Sequence, residues 1–288
     1  MTGSSESFRV LDALRSMEGS LNGVLKEREE VIRALVLSLL SGEHLFLVGP
    51  PGTGKSLLIR LCAAHFPCLV YFERLLHQES ARRSLESSPL MKEGIADGAI
   101  VFLDEVLRAP KSLLLTLLSF MNERIWHDPE PRPAHLLSLF AASNTHPSQS
   151  DHLDAFFDRF ALRCLIEPVR QFDSFSDLLE EHSPTGEAPR NCAQVSLESF
   201  RAVREGPLRE VRVEKEIIKK LWNLRHRLGR EGISLSDRRW KLVVKVLKAI
   251  ALYEGSEKVD ATHLSGLLPV LWTYPPEIRT IRRILSSE

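Results

Sequence analysis

The chain has 288 residues, enough for about two domains with cores of their own. Hydrophobic residues at 43% and charged residues at 26% exclude a disordered or fibrous chain. Its 38 basic and 38 acidic residues cancel, so the bulk charge directs it to neither nucleic acid nor an anionic membrane.

In chain order, residues 1–22 carry an apolar-periodic helix ending in glycine-containing turn material. "VLKEREEVIRALVLSLLSGEH" follows as an amphipathic helix, with acidic residues toward its start and Gly42 as its stop. "MTGSSESFRV" lacks the basic start and apolar core of a secretion signal, and a cytoplasmic location is expected. From residue 44 to about 166, apolar runs alternate with helices: "HLFLV", "CLVYF", "AIVFLD", "LLSLFAA" and "RCLIEPV". That alternation predicts an α/β domain, a parallel sheet with helices on both faces.

Between the first strand and the next helix lies "GPPGTGKS", Gly49 to Ser56, which matches G-x-x-x-x-G-K-[ST] without a mismatch. Backbone N–H groups in such a loop point inward at an anion, and Gly52 and Gly54 allow backbone angles that a Cβ forbids. Lys55 reaches the terminal phosphates, while Ser56 offers a hydroxyl to Mg²⁺ at the positive end of the helix that Leu57 and Leu58 continue. "AIVFLDE" ends in two carboxylates at the sheet edge where ligands bind. Asp104 can hold the metal with Ser56, and Glu105 can orient or deprotonate a water in line with the terminal phosphate. "LLSLFAASN" brings Asn144 to the same edge. "DHLDAFFDRFALR" offers Arg159 and Arg163, either of which could stabilise transition-state charge in a neighbouring subunit or pair with Asp158 or Asp154 instead.

Other features favour plainer readings. Cys62, His65 and Cys68 have a C-x-x-H-x-x-C spacing without a fourth ligand nearby, which suits buried thiols and a helix-end histidine better than zinc. With Cys164 and Cys192 the cysteines are expected as free thiols. "SLLLTLLSFM" is too short to span a bilayer. "HDPEPRP" predicts the tip of a hairpin, and "HSPTGEAPRNCAQ" a linker or loop. Beyond residue 210 only helical patterns remain: "VEKEIIKKLWNLRHRL", "SDRRWKLVVKVLKAIALYEG", "DATHLSGLLPVLW" and "PEIRTIRRIL". The expected division is a nucleotide-binding domain over 1–205 and an all-α lid over 206–288. The first turn after Ser236 or Asp237 holds Arg238 and Arg239, cations that oppose the helix dipole and so lack an evident structural reason. With "NLRHRLGRE" this is the most basic region, yet no interleaved aromatics support a nucleic-acid surface.

With phosphate loop, strand-end "DE", strand-end Asn, "DRF" and "DRR" in this order, the chain resembles the AAA+ ATPases. It is most similar to the MoxR family in its RavA-like branch, on "LLSGEHLFLVGPPGTGKSLL", "IVFLDEVLRA", "LLTLLSFMNER", "AASN", "DAFFDRF" and "SDRRWK". The resemblance implies a P-loop NTPase fold with a lid, ATP and Mg²⁺ as cofactors, and a Walker A loop of Gly49, Pro50, Pro51, Gly52, Thr53, Gly54, Lys55 and Ser56. It also implies Walker B at Asp104 and Glu105, sensor 1 at Asn144, an arginine finger at Arg159 and sensor 2 at Arg238. Leu25 to Glu27 fall where the family contacts adenine. A hexameric ring, a protein client and a von Willebrand factor A-domain partner are further implications. The segment from Glu73 to Gly98 is shorter than the family's helix-2 insert and lacks its acidic-threonine signature, and the chain stops after the lid. Two functions therefore stand at this point: an ATP-driven remodeller, or a nucleotide-dependent assembly switch with incidental turnover.

Overall fold

The structure, a computed structural model, describes residues 2–76, 95, 97–127, 131–146, 154–180 and 192–287. At its centre is a five-stranded sheet built from the apolar runs of the first half. The strands are β1 (Leu45–Val48), β2 (Tyr71–Leu75), β3 (Ile100–Asp104), β6 (Ser138–Ser143) and β7 (Leu162–Leu165). Their order is β2-β3-β6-β1-β7, and each pairing is parallel. Every residue of β1 and β6 is buried, as expected for strands covered on both faces. Val48 pairs with Ser143 and with Leu165, so three strands end level with one another. β4 (Ile125–His127) and β5 (Pro131–Pro133) form the predicted antiparallel hairpin, a place where prolines cost no ladder hydrogen bonds in a larger sheet.

Helices α1 (Thr2–Val24) and α2 (Glu29–Ser41) precede the sheet. The second starts later than its periodicity suggests, because Glu27 adopts a left-handed φ of 55° and Leu25 to Arg28 form a turn. It ends as predicted: Gly42 has φ 69° and its N–H bonds to the carbonyl of Ser38 at 2.8 Å. The second strand also moves. Cys68 lies in a turn and β2 begins at Tyr71, whose register is set by β3, the one strand it pairs with.

α3 (Lys55–Ala64), α4 (Lys111–Glu123), α5 (Asp154–Phe157) and α6 (Phe172–Glu180) complete the α/β layer. The chain then becomes helical: α7 (Leu197–Glu205), α8 (Pro207–Glu210), α9 (Lys215–Arg230), α10 (Asp237–Tyr253), α11 (Leu268–Leu271) and α12 (Glu277–Leu285). "DATHLSGLLPVLW" is not one helix. Thr262–Leu267 is a 3-10 turn and only Leu268–Leu271 is α-helical, with Pro269 in that single turn unable to donate its backbone bond. Ser236 caps α10 by accepting the N–H of Arg239 at 3.1 Å.

None of the four cysteines is in a disulfide. Cys62 is buried with its Sγ 3.4 Å from the Sδ of Met17, and His65 bonds to the carbonyl of Leu61. Among the described residues no group of three or more His, Cys, Asp or Glu side chains is placed to hold a metal, and no helix is long and apolar enough to cross a membrane. The shortened insert lies largely at 77–94, outside the described residues, as does most of "HSPTGEAPRNCAQ".

Candidate functional site

The loop Gly49 to Ser56 joins β1 to α3 at the sheet's C-terminal edge. Gly52 and Gly54 have φ of 80° and 83°, the left-handed angles the motif requires. Gly49 has a different constraint: a Cβ there would stand 2.2 Å from the carbonyl oxygen of Ile166, just beyond β7. Lys55 is buried and its ammonium bridges the loop. It donates to the carbonyls of Gly49 at 2.6 Å and Pro50 at 2.9 Å, and to Oδ1 of Asn144 at 3.0 Å. Burial holds its pKa below the ordinary lysine value, against the opposing pull of Asp104 and Glu105. Thr53 steadies the turn with a bond from its hydroxyl to Pro50, while Pro50 and Pro51 are exposed and Leu57 packs on the core.

Opposite the loop, β3 ends at Asp104, whose Oδ2 accepts the hydroxyl of Ser56 at 2.9 Å. Its Oδ1 accepts the N–H of Glu105. Glu105 takes a left-handed φ of 53°, a conformation that costs a non-glycine residue about 1–2 kcal/mol. That twist turns its carboxylate toward Asn144, whose amide nitrogen donates to it, and toward Arg108, at 3.3 Å. One amide thus joins the loop lysine to the strand-end glutamate.

A hydroxyl and a carboxylate are hard oxygen donors, and a site with one carboxylate suits Mg²⁺, which keeps waters and takes phosphate oxygens for the rest. Ser56 and Asp104 fit that ion.

A family described as the MoxR domain in the MoxR-vWA-beta-propeller ternary systems matches residues 12–203. The chain belongs to the MoxR family of AAA+ ATPases. An AAA lid domain family matches residues 216–285. The chain is 33% identical over 283 residues to the uncharacterized protein MJ0812 of Methanocaldococcus jannaschii, covering 92% of this chain and 72% of that one. Protein MoxR of Paracoccus denitrificans is 30% identical over 160 residues, covering 50% of this chain and 42% of its own. A Cytophaga hutchinsonii crystal structure, described as that of a candidate ATPase, superposes with a TM-score of 0.77 over 99% of this chain and 96% of its own. At 17% identity that likeness shows the fold alone.

In this MoxR-family chain the four arginines singled out by sequence have separate environments. Phe156, Phe157 and Phe160 are buried, and Arg159 between them is half-buried, without a side-chain hydrogen bond or ion pair among the described residues. Arg163, by contrast, is 1% exposed and stacks over the Phe157 ring at 4.1 Å. It donates to the carbonyls of Trp272 and Phe157 and to Thr273, tying β7 to the lid. Arg239 also has the structural reason that its sequence position hides. It is 1% exposed and bonds to the carbonyls of Phe160 and Ala161 at 2.6 and 3.2 Å, with Asp158 at 4.0 Å. Arg238 is exposed and donates to Asn122 of α4 at 3.1 Å, so it is not among the groups gathered around Lys55.

On the other side of the loop, a cleft of about 490 Å³ is lined by Glu27, Arg28 and Ile166 among others. The Glu27 carboxylate accepts the backbone N–H groups of Gln171 and Arg170, which lower its pKa. Leu25 is half-buried against the core. Arg28 and Arg108 were not found from sequence: Arg28 reaches the carbonyl of Thr53 at 3.3 Å, and Arg108 pairs with Glu105. Only the turn from Leu25 to Arg28 and the 3-10 turn Val106–Arg108 that carry them reveal this.

Proposed function

We propose that this chain hydrolyses ATP with Mg²⁺ in a ring of subunits, hexameric as the family resemblance implies, and uses the turnover to remodel a protein client. The observation that carries the reading is the connected set Lys55–Asn144–Glu105 beside Ser56–Asp104 at one sheet edge. Phosphoryl transfer needs positioning and charge neutralisation more than covalent help. The loop N–H groups and Lys55 would hold the phosphates, Ser56 and Asp104 the metal, and Leu25 to Glu27 would flank the adenine. Glu105, steered by Asn144, would orient the water and accept its proton. Arg238 would serve a phosphate after leaving Asn122. The segments "FMNER" and "SDRRWK" support a RavA-like kinship, and the name of the matched family supports a von Willebrand factor A-domain partner.

Arg159, flanked by three buried phenylalanines and without a side-chain hydrogen bond or ion pair among the described residues, is suited to act on a neighbour's phosphates. A finger of this kind contributes about 10³ to 10⁵ in rate. Mixing two inactive proteins, Arg159→Ala and Lys55→Ala, tests this. In mixed rings an intact ATP site from the first faces an intact arginine from the second, so phosphate release should return. With subunit exchange shown by fluorescence transfer, a mixture that stays inactive refutes the inter-subunit mechanism. Addition of a von Willebrand factor A-domain protein should raise turnover, whereas unchanged turnover with every partner would favour the assembly switch.

A further inference from the structure

At the opposite, N-terminal edge of the sheet, a cleft of about 600 Å³ opens between the β4–β5 hairpin, α7, α8 and lid helix α10. Among the described residues that line it, seven are basic and one, Glu205, is acidic, in a chain whose net charge is zero. Lys241, Lys245 and Lys248 follow one another at helical spacing along one face of α10. Arg201 and Arg204 form a second row on α7. Two rows of cations on separate helices would repel one another unless something between them is negative.

Part of that charge is answered within the chain. Lys245 pairs with Glu43, and Lys248 donates to the carbonyl of Arg209. Arg201 and Lys241 have no hydrogen bond or ion pair among the described residues. Arg124, at the base of the hairpin, donates Nη2 to the carbonyl of Gly42 at 2.8 Å, yet its Nη1 is buried without a hydrogen-bond partner among the described residues. A guanidinium nitrogen in that state is costly unless an acceptor reaches it. Burial lowers its pKa to about 10, against the opposing pull of Glu43 and with a further push from Arg204. Between the charged rows the lining is aliphatic: Ala134, Leu136, Leu208 and Val244.

We infer that this cleft binds an acidic peptide segment of a protein partner, with carboxylates on the two basic rows and apolar side chains on the aliphatic floor. Its size suits a few side chains of a peptide and excludes a nucleic-acid duplex. No aromatic residue lines it, so the base stacking by which single strands are held has no platform among the described residues. The site lies across the sheet from the phosphate loop, and the inference does not depend on ATP chemistry.

The test uses the full chain and a fluorescein-labelled dodecapeptide of alternating Glu and Leu, read by anisotropy. Wild type and Lys55→Ala should bind it equally. The pair Arg201→Glu/Lys241→Glu should weaken binding by about tenfold or more, the loss expected for charge-assisted hydrogen bonds. The exposed pair Lys215→Glu/Lys219→Glu on α9 should leave it unchanged. If the first pair melts early, Arg201→Gln/Lys241→Gln gives the same reading with less disturbance. No binding by wild type overturns the inference, as does equal weakening by the two charge-reversal pairs. Tighter binding of a dT dodecamer, lost in Arg201→Glu/Lys241→Glu, would make the cleft a nucleic-acid site instead.

Discussion

Asn144 holds the carboxylate of Glu105 through its amide nitrogen, although the two residues lie on neighbouring strands' ends, 39 positions apart. The same amide's oxygen accepts from Lys55 at 3.0 Å, so one side chain registers both the loop lysine and the strand-end glutamate. Glu105→Gln keeps the size of the side chain but cannot accept a proton from water. We expect ATP affinity to persist and turnover to fall by about a hundredfold or more. Single-turnover rates equal to wild type would reduce Glu105 to a strained strand end.

Lys55 carries the main point charge of the loop and is already desolvated by its surroundings. Lys55→Ala should abolish Mg²⁺-dependent ATP binding. Calorimetry with a non-hydrolysable analogue reads this directly, and undiminished affinity contradicts the assignment.

Adjacent arginines on the first turn of α10 should behave differently. Arg239→Met leaves the buried carbonyls of Phe160 and Ala161 without their donor and should cost about 2 kcal/mol or more in urea unfolding. Arg238→Ala removes an exposed bond to Asn122 and should stay within about 0.5 kcal/mol of wild type. It should instead weaken ATP binding more than ADP binding. Reversal of the two stability effects would mean that the lid docks through the wrong arginine.

His44 should make stability depend on pH. It is fully buried, its Nδ1 accepts the N–H of Leu139 at 3.0 Å, and its Nε2 faces the carbonyl of Met121 at 3.3 Å, an arrangement that fixes the neutral ring. Burial, reinforced by Arg124, holds its pKa well below the ordinary 6.5. The unfolded chain therefore binds a proton below pH 6.5 that the folded chain refuses. Its contribution is fully present above that value and is lost as pH falls, by up to about 1.4 kcal/mol per pH unit. Urea titrations at pH 7 and 5 should show this loss, and His44→Gln should show correspondingly less. An identical difference in both proteins would assign the effect elsewhere.

The sequence by itself determined the phosphate loop, the carboxylates of β3, Asn144 as a strand-end residue and the parallel α/β class with helices after it. Those features depend on local rules: a glycine pattern that only one backbone path satisfies, apolar runs that must be buried on both faces, and the polar residue that ends each run. Tertiary structure decided what sequence left equal. Arg159 and Arg163 are four residues apart and chemically alike, yet one is half-buried without a side-chain partner among the described residues and the other is sealed between β7 and the lid. Arg238 and Arg239 divide in the same way, because successive residues on a helix point about 100° apart and only one can face the core. The basic cleft was also beyond reach of sequence, since its cations come from α7, α8, α10 and the hairpin base, and no local pattern records that these segments meet. Burial is a property of the assembled layers, and it alone determined which of these cations hold the fold together and which remain available.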